Sequence, residues 1–238
     1  MSRVLGIETS RALCSAAVVA NGATREDTRK MERAHNEHIL ELVDGVLAAA
    51  GLEPADLDGV AFGCGPGSFT GIRIAASVAQ AIAYGADARM LPISSTLALA
   101  RAALECGVPV EAGVIASIRS RRDAWYLAGF ELEDGELGTR RPDSLVTADP
   151  GWPELRDDWA LVGDRPEWLP ARTVCHAHVA VSAGLIARMG AEALAAGRGG
   201  APESGLPVYV AGDSPWKPAS AGRRSQAGAS PGPSASRS

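Results

Sequence analysis

Lysine is nearly missing from this chain. Of its 23 basic residues only Lys30 and Lys217 are lysines, and with the many alanines this reads as codon bias. There is no basic excess either: 23 Lys and Arg stand against 28 Asp and Glu, for a formal charge of −5. A nucleic-acid footprint wants a clustered positive surface, so direct nucleic-acid binding is not expected. Four cysteines stand at 14, 64, 106 and 175, and no pair has CxxC spacing. That excludes a zinc knuckle and a thioredoxin-type motif, and the lack of a disulfide-dense pattern points to a reducing compartment. No run of 18 apolar residues exists, so no helical membrane span is expected. An acid at Glu8 interrupts any signal-peptide core. The expectation is a soluble, cytoplasmic protein. No serine stands in G-x-S-x-G.

What remains is the composition of a globular chain. Its 238 residues are 46% hydrophobic, which fits one or two domains and excludes a wholly disordered chain. Residues 4–7 and 13–20 are apolar runs suited to buried strands. Asn21-Gly22 follows, a strong hairpin signal, and predicts a third, more polar strand over 23–29. Helical spacing of Ile39, Leu42, Val43, Val46 and Leu47 predicts a helix over 36–50, stopped by Gly51. Then come a strand at 60–62, a helix over 72–84, a strand at 90–93 and a helix over 96–106. The second half begins again with strands at 113–118 and 124–130, a third after the turn at 133–136, and a fourth at 159–163. An Ala-rich helix is expected over 179–196. A similar order of elements occurs, imperfectly, once in each half, which suggests two related α/β lobes. Residues 218–238 hold no large hydrophobe and are expected to form a disordered tail of charge +3, leaving −8 on residues 1–217.

The most informative stretch is Gly63-Cys64-Gly65-Pro66-Gly67-Ser68-Phe69-Thr70-Gly71. Four glycines and a proline between a buried strand and a helix aim backbone N–H groups at a helix N-terminus, where a phosphate could lie. The stretch has no P-loop lysine and is not GxGxxG. It is equally readable as a tight connection capped by Ser68 or Thr70. The following helix carries Ala75, Ala76, Ala79 and Ala83, and small residues permit close approach of another helix. Glu8-Thr9-Ser10 ends a strand as a magnesium–nucleotide site would, with a carboxylate beside hydroxyls; a hydrogen-bonded structural role is the alternative. The histidines at 35 and 38 lack zincin spacing, and those at 176 and 178, expected on one strand face, lack a third ligand, so no metal is expected. Cys64 has no evident base. Arg119, Ser120, Arg121 and Arg122 read as a solvated hairpin edge, or as a contact to phosphate.

"VLGIETS", "CSAAVV", "HNEHILELVDGVLAAAG", "GCGPGSFTGIRIA" and "PISSTLALA" closely resemble the TsaB (YeaZ) family. The run GPGSFTG followed by Ile72-Arg73 is the specific part. The resemblance covers residues 1 to about 105 and returns at Pro207-Val208-Tyr209-Val210 and at Trp216-Lys217. It implies two ribonuclease-H-like lobes of the actin/hexokinase/Hsp70 (ASKHA) type: a first, partner-binding lobe over 1–105 and a smaller, divergent one over 106–217. It implies a non-catalytic subunit that binds TsaD, joined by the ATPase TsaE. Together they serve threonylcarbamoyl transfer to N6 of adenosine 37 in tRNA (t6A), with tRNA met only indirectly. No cofactor of its own is implied, with ATP or ADP at the interface with TsaD and at most a nucleotide contact from Glu8, Thr9 and Ser10.

The expected docking surface joins two helices and a loop. From the loop come Pro66, Gly67, Ser68, Phe69, Thr70 and Gly71. Arg73, Ala76, Ala79, Gln80 and Ala83 come from the helix after it, and His35 and Ile39 from the earlier one. A large charged residue at Ala76 or Ala79 is expected to abolish the complex and spare the fold. This sequence departs from the family where Glu8 replaces an aspartate, where 119–126 loses the usual Asp and Gly-Glu, and at Val210-Ala211. Neither a second Gly-rich phosphate turn nor a helical histidine pair four apart is present. Without them little would stabilise a charged transition state. The alternatives are an active ATP-dependent kinase or ATPase of the same fold, a metallopeptidase, and a homodimer using the same helices.

Overall fold

The computed structural model describes residues 2–11, 13–30, 35–155 and 158–210. The tail at 218–238, with Trp216 and Lys217, lies outside the described residues. The chain opens on β1 (Val4–Glu8), β2 (Leu13–Ala20) and β3 (Ala23–Lys30). Between β2 and β3, Asn21 and Gly22 both take positive φ, 51° and 76°, as a primed two-residue hairpin turn requires. Next come α1 (His35–Ala50), β4 (Gly59–Gly65), α2 (Phe69–Ala86), β5 (Arg89–Ser94) and α3 (Ser95–Glu105). The second half adds β6 (Gly113–Arg121), β7 (Ala124–Glu133), β8 (Glu136–Val146), β9 (Trp159–Gly163), β10 (Cys175–His176) and α4 (Ala183–Ala195).

The strands form two five-stranded sheets, ordered β3-β2-β1-β4-β5 and β10-β9-β6-β7-β8. Read from the other edge, the second order repeats the first. Each sheet has three antiparallel strands followed by two parallel ones. The recurrence of element order along the chain is therefore a repeat of topology.

The layers follow from strand alternation. On one face of the first sheet, Leu5, Ile7, Val18 and Phe62 pack under α1 and α2. The opposite face offers Val4 and Ala61 to a cluster that runs through α3 and α4 to Val114, Ala116, Tyr126 and Phe130 of the second sheet. The two helices thus lie between the sheets. Small residues let α4 approach closely. A Cβ on Gly6 would stand 2.7 Å from the Ala187 amide, and one on Gly190 2.5 Å from the Ala61 methyl. The far face of the second sheet is different. Ile115, Trp125, Leu127, Leu161 and Leu169 are roofed there by the half-buried Trp152, Trp159 and Trp168.

Three boundaries depart from the sequence reading. The last helix starts at Ala183, four residues later than its apolar pattern, because the Ser182 hydroxyl accepts the Leu185 amide and caps it. Val179 and Val181 are buried in non-helical backbone instead. Only His176 lies in β10; the chain turns at Ala177, so His178 does not share a strand face with it. The rings meet edge to face, 5.9 Å apart. Finally, β4 continues through Gly63 to Gly65, so the glycine-rich stretch begins inside the sheet, at a register irregularity against β5.

Candidate functional site

Two places carry the residues singled out in the sequence. The first is at the C-terminal ends of β1, β4 and β5, where the two sheets meet. Glu8, Thr9 and Ser10 are buried there, each 2% exposed or less. The Thr9 hydroxyl donates to the Gly71 carbonyl at 2.8 Å, and the Ser68 amide donates to the Ser10 carbonyl at 2.9 Å. The glycines of the loop are what this seating requires. A Cβ on Gly71 would run into the Thr9 carbonyl, and one on Gly67 would lie 3.0 Å from Ser10 Cβ. Thr9 and Ser10 are thus committed to holding α2 against the turn after β1. A nucleotide contact from the Thr9 hydroxyl would have to displace its bond to Gly71. Ser68 caps α2, accepting from the Gly71 amide.

Glu8 Oε1 accepts the Ser10 amide at 2.5 Å, and Oε2 is buried without a hydrogen-bond partner. Burial pushes this carboxyl above the usual carboxylate range, opposed by the bonds from Ser10 and by the charge of Arg11. Burial also pushes the Cys64 thiol up to about 12, with the Asp143 and Glu8 carboxyls adding to it. Cys64 is therefore held as a thiol, not as a nucleophile. Asp143, reached from β8, is raised by burial and accepts the Thr96 hydroxyl at 2.7 Å. A second link crosses at the same end: Arg11 meets Asp164 at 2.7 Å. Asp164 is set by the second sheet, accepting the Arg119 amide at 2.8 Å and receiving the Ser117 hydroxyl on its carbonyl at 2.6 Å. Asp143 and Asp164 carry no local signal, because both meet their partners only through the tertiary fold. Arg119 also pairs with Glu167, and His38 lies against Arg29 and Glu41. Among the described residues no three His, Cys, Asp or Glu side chains gather as a metal site would need.

The second place is the outer face of α1 and α2. The structure corrects much of the surface expected there. Ala76, Ala79 and Ala83 are at most 3% exposed, and Pro66, Gly67 and Gly71 are buried too. Ile39 points into the core at 0% exposure. His35 begins α1, but its side chain is not among those described. The physical reason is that α2 lies directly on its own sheet. Its alanines permit that approach, so they face inward. Exposed instead are Ser68, Thr70, Arg73 and Ser77, with Phe69, Ile74, Val78 and Gln80 half-buried. Leu40 of α1 is 56% exposed and Tyr84 80%. Asn36, Leu40, Phe69, Arg73, Ile74 and Val78 line a shallow groove of about 400 Å³ between the helices. Periodicity separated the two faces of each helix but did not say which faced water.

Tyr209, in the segment 205–210, reaches two residues that line this groove. The Val208 amide donates to the Cys64 carbonyl at 2.8 Å. The Tyr209 ring meets Phe69 at 5.8 Å, and its hydroxyl accepts Arg73 Nε at 2.8 Å.

The solved structure described as YeaZ from Pseudomonas aeruginosa superposes with a TM-score of 0.78. It is 31% identical, over 88% of this chain and all of that one. The chain belongs to the TsaB (YeaZ) family. Two sheets of one topology enclosing helices are then the two lobes of an ASKHA-like fold. A family model described as "TsaD: tRNA N6-adenosine threonylcarbamoyltransferase" matches residues 27–143. The Escherichia coli "tRNA threonylcarbamoyladenosine biosynthesis protein TsaB" is 26% identical over 233 residues, 90% of this chain and 97% of that one. The Haemophilus influenzae protein of the same description is 38% identical over 125 residues, which spans about half the length of each (52%).

Proposed function

We propose that this chain is a non-catalytic subunit of the machinery that forms N6-threonylcarbamoyladenosine in tRNA, and that it works by docking on a TsaD-family protein through the outer face of α1 and α2. The observation that carries this reading is the apolar groove between those helices, with Leu40, Phe69, Ile74 and Val78 open to a partner. Fully burying one such side chain adds about 1.5–3 kcal/mol at most, and less for the three already half-buried, so the four form the apolar centre of a larger contact. TsaE joins through that complex, tRNA is met indirectly, and ATP or ADP sits at the partner interface. The first-lobe groups that could do chemistry support the non-catalytic part. Glu8 is biased toward its neutral form, Cys64 stays protonated, and Thr9 and Ser10 are bonded within the chain.

The test mixes the purified chain with the TsaD-family protein of its own organism and follows complex formation by size-exclusion chromatography. Leu40→Asp and Val78→Glu abolish the complex and leave circular dichroism unchanged. Undiminished complex with both variants refutes the face. Depleting the chain from cells lowers t6A in tRNA. Micromolar binding of magnesium–ATP to the isolated chain, by calorimetry, would favour a kinase-like activity instead.

A further inference from the structure

Arg73 is a cation at the mouth of an apolar groove. Its guanidinium carbon lies 3.7 Å from the Phe69 ring centroid and 5.6 Å from that of Tyr209. Its Nε donates to the Tyr209 hydroxyl at 2.8 Å. Among the described residues no carboxylate meets it. Arg3, Arg29, Arg101, Arg119 and Arg188, also at the surface, each pair with an Asp or Glu. Of the acids on α1, Glu41 is committed to Arg29 and His38, and neither Glu37 nor Asp44 is paired with Arg73.

So Arg73 lacks a counter-ion but is held in place. An ordinary exposed arginine samples many rotamers and loses that freedom on binding. Here the ring stack and the Nε bond have already fixed the plane, while the two terminal nitrogens donate to no described residue and remain available. That is the fork a carboxylate takes in bidentate fashion. The restraint comes from far along the chain. Residues 205–210 are pinned to the glycine-rich loop by Val208 N to Cys64 O at 2.8 Å, and a Cβ on Gly65 would press to 2.9 Å from the Val208 carbonyl. Pinning the backbone there sets Tyr209, and Tyr209 sets Arg73.

We propose that Arg73 is a preset cation that takes a carboxylate from the docking protein, whose contact surface is an apolar helix face ending in Asp or Glu. Tyr209 is the positioning residue for it. An apolar helix laid in the α1–α2 groove, with its acid at the Phe69 end, satisfies both the groove and the fork. The assignment rests on the docking reading above and names the chemistry of that partner.

Calorimetry of the full chain with the purified TsaD-family protein tests it, at about 50 mM and about 500 mM salt. Arg73→Gln weakens binding by about tenfold at the lower salt and less at the higher, because the lost pair is electrostatic. Arg73→Lys does not restore it, since an ammonium neither stacks nor forks. Tyr209→Phe keeps the ring, removes the acceptor of Nε, and gives an intermediate loss of about threefold. Arg73→Gln binding within about twofold of the parent at both salts, while Leu40→Asp abolishes binding, overturns the Arg73 assignment and leaves the docking face standing. Parent-like binding by Leu40→Asp brings down the face itself, and this assignment with it.

Discussion

At Glu8 one carboxyl oxygen is bonded to the Ser10 amide and the other has no partner, in a site 2% exposed. Folding raises the affinity of this group for its proton. Such a carboxyl adds stability below its ordinary value of 4.5, and that contribution is lost as pH climbs through the folded value. Glu8→Gln resembles the protonated acid and does not titrate. Its urea midpoint is therefore expected to match the parent near pH 4.5 and to exceed it at about pH 7.5. A gap that stays constant with pH would mean that Glu8 titrates alike folded and unfolded. Gly71 makes the neighbouring case for packing. Gly71→Ala drives a methyl into the Thr9 carbonyl and is expected to cost about 1–3 kcal/mol in chemical unfolding. The sequence marked both residues as special and left ligand chemistry and a structural role both open. Their work is to seat α2, because the partner of a glycine is a neighbouring backbone that only the fold supplies.

Among the elements, α2 shows where pattern reading stops. Its existence was legible and its extent only roughly: the expected 72–84 is Phe69–Ala86, because of the two capping candidates it is Ser68, ahead of Phe69, that caps it. The small residues recur at helical spacing. The direction of those small residues was not legible. An alanine stripe suits a partner helix and a close-lying sheet equally well, and here β4 is the neighbour. The consequence is measurable. Ala79→Glu buries a charge at a position of 0% exposure and is expected to cost at least about 3 kcal/mol, lowering the unfolding midpoint whether or not a partner is present. Leu40→Asp stays within about 0.5 kcal/mol of the parent, because Leu40 is 56% exposed. If the two variants unfold alike, the packing of α2 has been misread. Residues 205–210 were visible only as a familiar string at the end of the chain. The bond from Arg73 to Tyr209 spans 136 positions, a separation that local pattern does not register.

For the molecule as a whole, most of the repeated strand order was readable from hydrophobic runs and turn residues; the two-residue β10 was not. Nor were the contacts that join the halves. Arg11 and Asp164 sit 153 positions apart and close the seam between the sheets at 2.7 Å. Both are partly exposed, so the pair itself contributes about 1 kcal/mol or less. Arg11→Met is expected to speed amide exchange around 117–119 and 163–165 and to leave the centres of both sheets protected. Uniform loss of protection would instead mean that the link holds the global fold.

The threading of α4 bears on how the protein is made. Val4, Gly6, Ala17 and Ala61 of the first sheet are covered by Ala183, Ala187 and Gly190. A nascent chain therefore emerges from the ribosome with one side of its earliest strands bare, and it stays bare until nearly the last helix has been synthesised. For most of translation that greasy plane is a target for chaperones, and a ribosome stalled in the second half leaves it permanently unsheathed.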